Sequence, residues 1–312
     1  MTLNEFCTLV KDELINIIND EKATVKLSTT IKNNGIELTS VTIFYPQDKI
    51  SPNIYLNEFY FEDATLTDTV LCAKKVYEIY TKFKPMNVVD ISYYDDYESI
   101  KPYFRLKLVN RTLNKEILKK AVHRPFLDME VLVYARVDNE ILGSGSITVL
   151  KDHLSVWGID EDTLYRDAMD NQHNLNSSEI VGIYDLLMDM VKKMSLNDED
   201  RNEAIEYLNN QNENLKYIGM QVLSNKDRFY GASAMLDTEF LSKYSEEIGS
   251  DFFILPSSIH ELIIVPYSEF TNREELTSMI KQVNDTTVAI EDKLSDSLYV
   301  YSQNENKVIM AE

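Results

Sequence analysis

The stretch "DFFILPSSIHELIIVP", residues Asp251–Pro266, constrains the fold more than any other part of the chain. Two runs rich in Phe, Ile, Leu and Val flank Pro-Ser-Ser-Ile-His, the composition of two buried strands about a bend. Pro256 fixes its own φ and lacks an N–H, so it suits a turn better than a central ladder position. The pattern predicts antiparallel strands over Phe252–Leu255 and His260–Val265.

The same pattern recurs elsewhere. "ATVKLSTTI" and "IELTSVTIFY" flank "KNNG", where Asn34-Gly35 signals a tight turn. "SPNIYLNEFYF" reads as a third strand, and "VVDISYY", "FRLKLVN" and "MEVLVYARV" as others. "DNEILGSGSITVL" reads as a turn and a strand, "HLSVW" as a strand end, and "YIGMQVLS" and "FYGASAML" as strands. "SLYVYS" and "KVIMA" read as a closing hairpin. Helical period marks residues 3–18, a helix from Thr65-x-x-Asp68 to Lys84-Pro85, and "NKEILKKAV". It also marks a helix capped by Asp160, one with Ile180, Ile183, Tyr184, Leu187, Val191 and Met194 on one face, one ended by Gly249, and one capped by Asn272-x-x-Glu275. The expected fold is α+β, with mainly antiparallel sheets built from hairpins and helices packed on them.

Residues 195–214, "SLNDEDRNEAIEYLNNQNEN", carry only a thin apolar stripe of Ala204, Ile205 and Leu208. They read as a polar linker between an N-terminal α+β domain, 1–194, and a C-terminal one, 215–312.

Hydrophobic residues make up 44% of the 312, enough to build a core and to exclude global disorder. No run approaches the roughly 18 apolar residues of a membrane span. The first residues, "MTLNEFCTLVKDELINIIND", lack a basic n-region and carry charge throughout, so no signal peptide is expected. With only Cys7 and Cys72, no disulfide framework is indicated. The expectation is a soluble cytoplasmic protein.

The net charge of -21 is uneven, with -3 in residues 1–150 and -18 in 151–312. Within 160–213, 14 acids face only Arg166, Lys192, Lys193 and Arg201. Phosphate contacts need Lys and Arg, so direct binding of nucleic acid or of an anionic membrane is not expected. A basic protein partner is compatible with this charge, and Asp198, Glu199 and Asp200 are the candidate partner-binding residues.

The four histidines sit at no spacing that suggests a metal site, and no zinc signature or phosphate loop occurs. "GSGS" at 143–146 lies between strands and reads as a hairpin turn. "YYDDYE" at 93–98 lacks the Gly and terminal Glu of a calcium loop and reads as a solvated turn. No metal and no cofactor are expected. Ser258 and His260 would share a strand face with their roots about 6–7 Å apart. A hydrolase would use them as nucleophile and base, with Asp251 or Glu261 orienting the base. The chain offers no nucleophile elbow, and a turn capped by serine hydroxyls accounts for the same residues.

"MQVLSNKDRFYGASAML", "DFFILPSSIHELIIVP" and "VNDTTV…LSDSLYVYS", with "SPNIYLNEFY", "RPFLDMEVLVYARV" and "HLSVWGIDEDTLYRDAMDN" before them, resemble the bacterial domain-of-unknown-function family DUF5688 in the same order. The resemblance spans nearly the whole chain, and "LPSSIHE" is its most specific part. It implies a free-standing cytoplasmic bacterial protein, sometimes associated with mobile elements, and assigns no activity, cofactor or catalytic residue. The leading functional expectation is a non-enzymatic protein-interaction module. The alternatives are an acidic DNA-mimic inhibitor of anti-restriction or anti-CRISPR type, and the serine/histidine hydrolase.

Overall fold

Thr2 starts the first helix. Its hydroxyl accepts the Glu5 N–H at 3.3 Å while the Glu5 carboxylate accepts the Thr2 N–H at 2.8 Å, a reciprocal cap that satisfies N–H groups left over at a helix start. Helix α1 (Leu3–Ile18) then turns Phe6, Val10 and Leu14 inward. Strand β1 (Thr24–Ile31) pairs antiparallel with β2 (Glu37–Phe44), from Thr24↔Phe44 to Ile31↔Glu37. The turn between them holds Asn34 at φ 57° and Gly35 at φ 74°, as the Asn-Gly pair foretells. A short β3 (Ile54–Tyr55) completes the sheet beside β2. Helix α2 (Leu66–Phe83) closes a core in which Phe6, Val10 and Leu14 meet Val41, Ile43, Ala73 and Val76. Cys7 and Cys72 are buried in that core as free thiols, and burial pushes the Cys72 thiol up to about 12.

The structure is a computed structural model that describes residues 1–47, 51–83, 94, 96–139, 143–217, 219–268 and 272–311. The chain forms two units. Met1–Ile100, ending in the short helix α3 (Tyr97–Ile100), groups with Arg136–Ile147, and Lys101–Ala135 groups with Thr148–Glu312.

In the second unit β4 (Phe104–Asn110) follows, then a single turn of helix, α4 (Lys115–Leu118), and β5 (His123–Phe126). Strand β6 (Met129–Asn139) lies between β4 and β5, antiparallel to both up to Ala135, and β7 (Gly143–Thr148), which also pairs with β6, groups up to Ile147 with the first unit. The apolar run expected as a strand is thus the middle of a sheet, and Val133, Tyr134 and Ala135 are fully buried. Helices α5 (Lys151–Trp157) and α6 (Glu161–Leu175) come next, the second capped by Asp160, which accepts the Thr163 N–H at 2.8 Å.

A six-stranded antiparallel sheet forms the rest. It contains β8 (Ser178–Gly182), β9 (Gln221–Asn225), β10 (Phe252–Pro256), β11 (Leu262–Pro266), β12 (Tyr299–Ser302) and β13 (Lys307–Met310), in the order β13-β12-β10-β11-β9-β8. Helices α7 (Ile183–Lys193) and α8 (Asp198–Tyr217) stand between β8 and β9 in the chain. Helix α9 (Thr238–Ile248) ends at Gly249 with φ 70°, and α10 (Arg273–Thr286) is capped by Asn272, whose side-chain oxygen accepts the Glu274 N–H at 3.0 Å. Leu276 and Ile280 of α10 share a core with Phe253, Leu255 and Val300. The α+β class and the antiparallel hairpins are as expected.

Several elements differ from expectation. The strand foreseen over 51–61 shrinks to β3 because Asn57 accepts the Thr39 N–H at 2.7 Å, so a side chain takes a ladder position and the backbone turns away. The helix foreseen at "NKEILKKAV" stops after one turn, since Val122 donates to the Val149 carbonyl at 3.1 Å and Ala121 bridges to Leu150. "HLSVW" belongs to α5, where Trp157 packs 5.3 Å from Phe104, centroid to centroid. "FYGASAML" forms a 3-10 turn at Gly231–Leu236 rather than a strand. "GSGS" lies in β7 rather than in a turn. Ile180 falls in β8, ahead of the helix expected to contain it. "VVDISYY", except Tyr94, and Tyr93 and Asp95 of "YYDDYE" lie outside the described residues.

The stretch 195–214, expected as a linker, has regular structure. Most of that stretch is α8, and the strands before and after the helical pair register directly, Ser178↔Asn225 to Gly182↔Gln221. The two ends of the segment thus meet in one sheet.

Candidate functional site

Pro256 pairs with Leu262 at the end of the β10–β11 ladder, so Ser257–Glu261 is the connecting loop. His260 therefore belongs to the loop and not to the strand. The Ser258 N–H donates to the Glu261 carbonyl at 3.1 Å, and Ser258 Oγ accepts the backbone N–H of His260 at 3.0 Å. The serine oxygen thus serves the turn, not the imidazole.

The His260 ring is engaged on both sides. Its Nδ1 accepts the Tyr230 backbone N–H at 3.1 Å, which makes Nε2 the protonated nitrogen of the neutral ring. Nε2 lies 3.5 Å from Asp292 Oδ1. Phe229 and Tyr230 pack against the ring, the latter nearly parallel to it. Of the carboxylates proposed to orient this histidine, Asp251 instead accepts the Gln303 N–H at 2.9 Å, and Glu261 supplies its backbone carbonyl to Ser258. Asp292, 32 positions along the chain, faces the ring in their place. Only tertiary folding brings it there, and no local motif marks it. The two ring nitrogens thus face the Tyr230 N–H and, at 3.5 Å, Asp292, while Ser258 Oγ bonds the His260 backbone.

Gly231 explains why the loop before the 3-10 turn can press so close. A Cβ there would lie 2.0 Å from Ser224 Oγ and 2.4 Å from the His260 carbonyl. Ser224 Oγ donates to that same carbonyl at 2.9 Å. Asn225 closes the loop, its side chain bonding Phe229 through both N–H and carbonyl at 3.2 and 3.0 Å.

Other polar clusters are equally committed. Asp128 accepts from Ser295 and Ser297 at 2.9 Å each and from Tyr299 at 2.5 Å. Burial, with Asp128 adding to it, pushes the Tyr299 phenol far above its usual range. Buried Glu130 accepts from Arg111 at 2.6 Å and lies 2.9 Å from His123 Nδ1. Buried Asp237 caps α9 and accepts from Ser178 at 2.9 Å, with His173 at 3.7 Å. In that trio the carboxylate, not the histidine, accepts from the serine, an order unlike a Ser-His-Asp relay. Among the described residues no group of three or more His, Cys, Asp or Glu is placed to hold a metal ion, and no helix is long and apolar enough to cross a membrane.

The helical pair differs from these closed networks. Arg201 bonds the Met194 and Leu196 carbonyls, tying down the turn, and the Tyr184 hydroxyl donates to Asn209 at 2.7 Å, tying α7 to α8. Leu187, Met190, Val191 and Met194 recur at i, i+3, i+4 and i+7, one apolar stripe along α7 and its end. Yet no residue of α7 is buried. The stripe faces Ala204 and Tyr207 of α8 across an open groove of about 670 Å³. Met190, Met194 and Tyr207 are 52%, 51% and 65% exposed. Asp200 and Glu203 line the same groove.

The three acids nominated from sequence open α8, where negative charge favours the positive end of the helix. Asp198 pairs with Arg201 at 3.1 Å, and Asp200 accepts from the Asn197 side chain at 2.8 Å. Only Asp200 of the three lines the groove. Sequence reading placed Leu187, Val191 and Met194 on one helix face and passed over Met190 and Tyr207.

The model of a family of unknown function, DUF5688, matches residues 3–303. No curated protein and no solved structure matches the chain.

Proposed function

The chain belongs to the family of unknown function DUF5688, and we propose that it acts as a non-enzymatic protein-interaction module that docks a partner between α7 and α8. One observation carries this reading. An amphipathic helix buries none of its residues, and its apolar stripe opens into a groove instead of the core. Contiguous exposed apolar surface with a polar rim is the signature of a docking site in a folded chain.

Two other readings have less support. The hydrogen bond of Ser258 Oγ to a backbone N–H weighs against a hydrolase at that serine. A DNA mimic needs a long unbroken row of free carboxylates, and Asp189 and Asp198 interrupt this one by pairing with Lys193 at 2.6 Å and Arg201 at 3.1 Å.

Site-specific photocrosslinking in the cell that makes the protein tests the proposal. A photoreactive residue at Tyr207 should yield one discrete adduct with a single other protein. The same residue at Asp12, on the exposed side of α1, should not yield it. A folded protein that gives no adduct from position 207 would end the reading.

A further inference from the structure

We infer that the occupant of the α7–α8 groove is a cationic amphipathic helix of a partner protein, an inference that rests on the docking reading above. Both walls of the groove are helices, whose backbone groups are already bonded within themselves. They offer no row of N–H and C=O groups to an extended peptide, which would leave its own backbone unpaired at the contact. A helical occupant brings its backbone bonds with it and needs only side-chain contacts. The stripe of Leu187, Met190, Val191 and Met194 presents anchors at the spacing that a facing helix meets with its own i, i+3, i+4 and i+7 residues. The two methionines suit such a surface, because flexible thioethers adapt to varied side chains.

Charge selects the sign of that helix. Asp200 and Glu203 line the groove, and Glu199 and Glu206 stand exposed on the same helix. Among the described residues nearby, Lys193 is engaged by Asp189, Arg201 by Asp198 and Arg228 by Glu179, while Lys192 is exposed. The rim is therefore acidic, and it draws Lys and Arg on the flanks of an apolar stripe. A second copy of this chain brings a net charge of -21 and is disfavoured by the same field.

The test uses the full chain and a labelled synthetic helix of about 14 residues, long enough to overlay α7 at about 1.5 Å per residue. The helix carries a leucine stripe flanked by lysines. A scrambled peptide of the same composition and a charge-inverted peptide with glutamates serve as comparators. Fluorescence anisotropy should find the striped cationic helix at least about tenfold tighter than either comparator. Met190→Ser with Met194→Ser should weaken it about tenfold, and Asp200→Asn with Glu203→Gln about fivefold with a flatter salt dependence. The second pair lies on an exposed surface and keeps the test open should the first disturb folding, which circular dichroism would report. Equal binding of the scrambled or inverted peptide, unchanged binding by the Asp200/Glu203 variant, or self-association of the chain through Met190 and Met194 would overturn the inference. A crosslink at position 207 without peptide selectivity would remove only the cationic helix. Loss of both would remove the docking reading as well.

Discussion

The rings of His260 and Tyr230 lie parallel within 7°, their centroids 5.5 Å apart, while His260 Nδ1 accepts the Tyr230 backbone N–H at 3.1 Å. The stack and the bond together fix the loop Ser257–Glu261 against the turn that begins at Gly231. This makes His260 a structural hinge-pin of the β10–β11 hairpin, and it sets the expected consequences of mutation there.

Ser258→Ala removes one acceptor for a half-buried N–H. It should cost about 1 kcal/mol, the scale of one net hydrogen bond. His260→Ala strands the Tyr230 N–H as well as deleting the stack, and should cost about 2–3 kcal/mol. Urea denaturation of both variants checks the order. A larger loss from Ser258→Ala than from His260→Ala would contradict this account of the loop.

Gly231→Ala should be worse than either. The added methyl would meet Ser224 Oγ at 2.0 Å, the His260 carbonyl at 2.4 Å and the Asn225 nitrogen at 2.9 Å, and two of these belong to backbone. The expected loss is about 3 kcal/mol or more. A thermal or urea midpoint indistinguishable from wild type would show that the loop is not held as described.

Asp128→Asn tests the closed cluster at Tyr299. The carboxylate accepts three hydroxyl donors, and an amide would turn a donor toward them. The expected destabilisation is about 2–4 kcal/mol, measured by chemical denaturation.

His153 gives a pH dependence. Burial holds its pKa below the ordinary value of about 6.5, only partly opposed by Asp152, and its Nδ1 accepts the Leu150 N–H at 3.2 Å. The unfolded chain then binds the proton more readily than the folded one. The contribution to stability is present above pH of about 6.5 and is lost as pH falls below it, towards the folded pKa. His153→Gln should flatten that part of the stability–pH curve. An unchanged slope would assign the dependence to other groups.

Proteolysis at the turn between α7 and α8 should nick the chain without separating it, because β8 and β9 on either side are paired in one sheet. The two fragments should copurify under native conditions and part only in denaturant. Independent, separately folded fragments would support a linker at 195–214.

Local signals carried most of the fold. Asn34-Gly35, Asp160, Gly249 and Asn272 each mark an element boundary by chemistry that acts within a few residues, and each stands where that chemistry places it. The β10–β11 hairpin was legible for the same reason. What local pattern could not carry was the pairing of β8 with β9 across the helical excursion, since register between strands some 40 positions apart is fixed by the sheet. The polar composition at 195–214 reads as a linker, and a solvated helix such as α8 has the same composition. The groove was half legible. The α7 stripe was visible, but a stripe at helical spacing does not say whether a core or a partner covers it, and only its exposure in the fold does.

The docking face is tested most directly by methyl resonances of the protein's 11 methionines, labelled with carbon-13, during titration with the striped cationic helix. The account predicts that the Met190 and Met194 methyls shift together and saturate at one equivalent, while buried Met129 and Met235 stay in place. Shifts centred on other methionines, or none at Met190 and Met194 as the peptide binds, would contradict it.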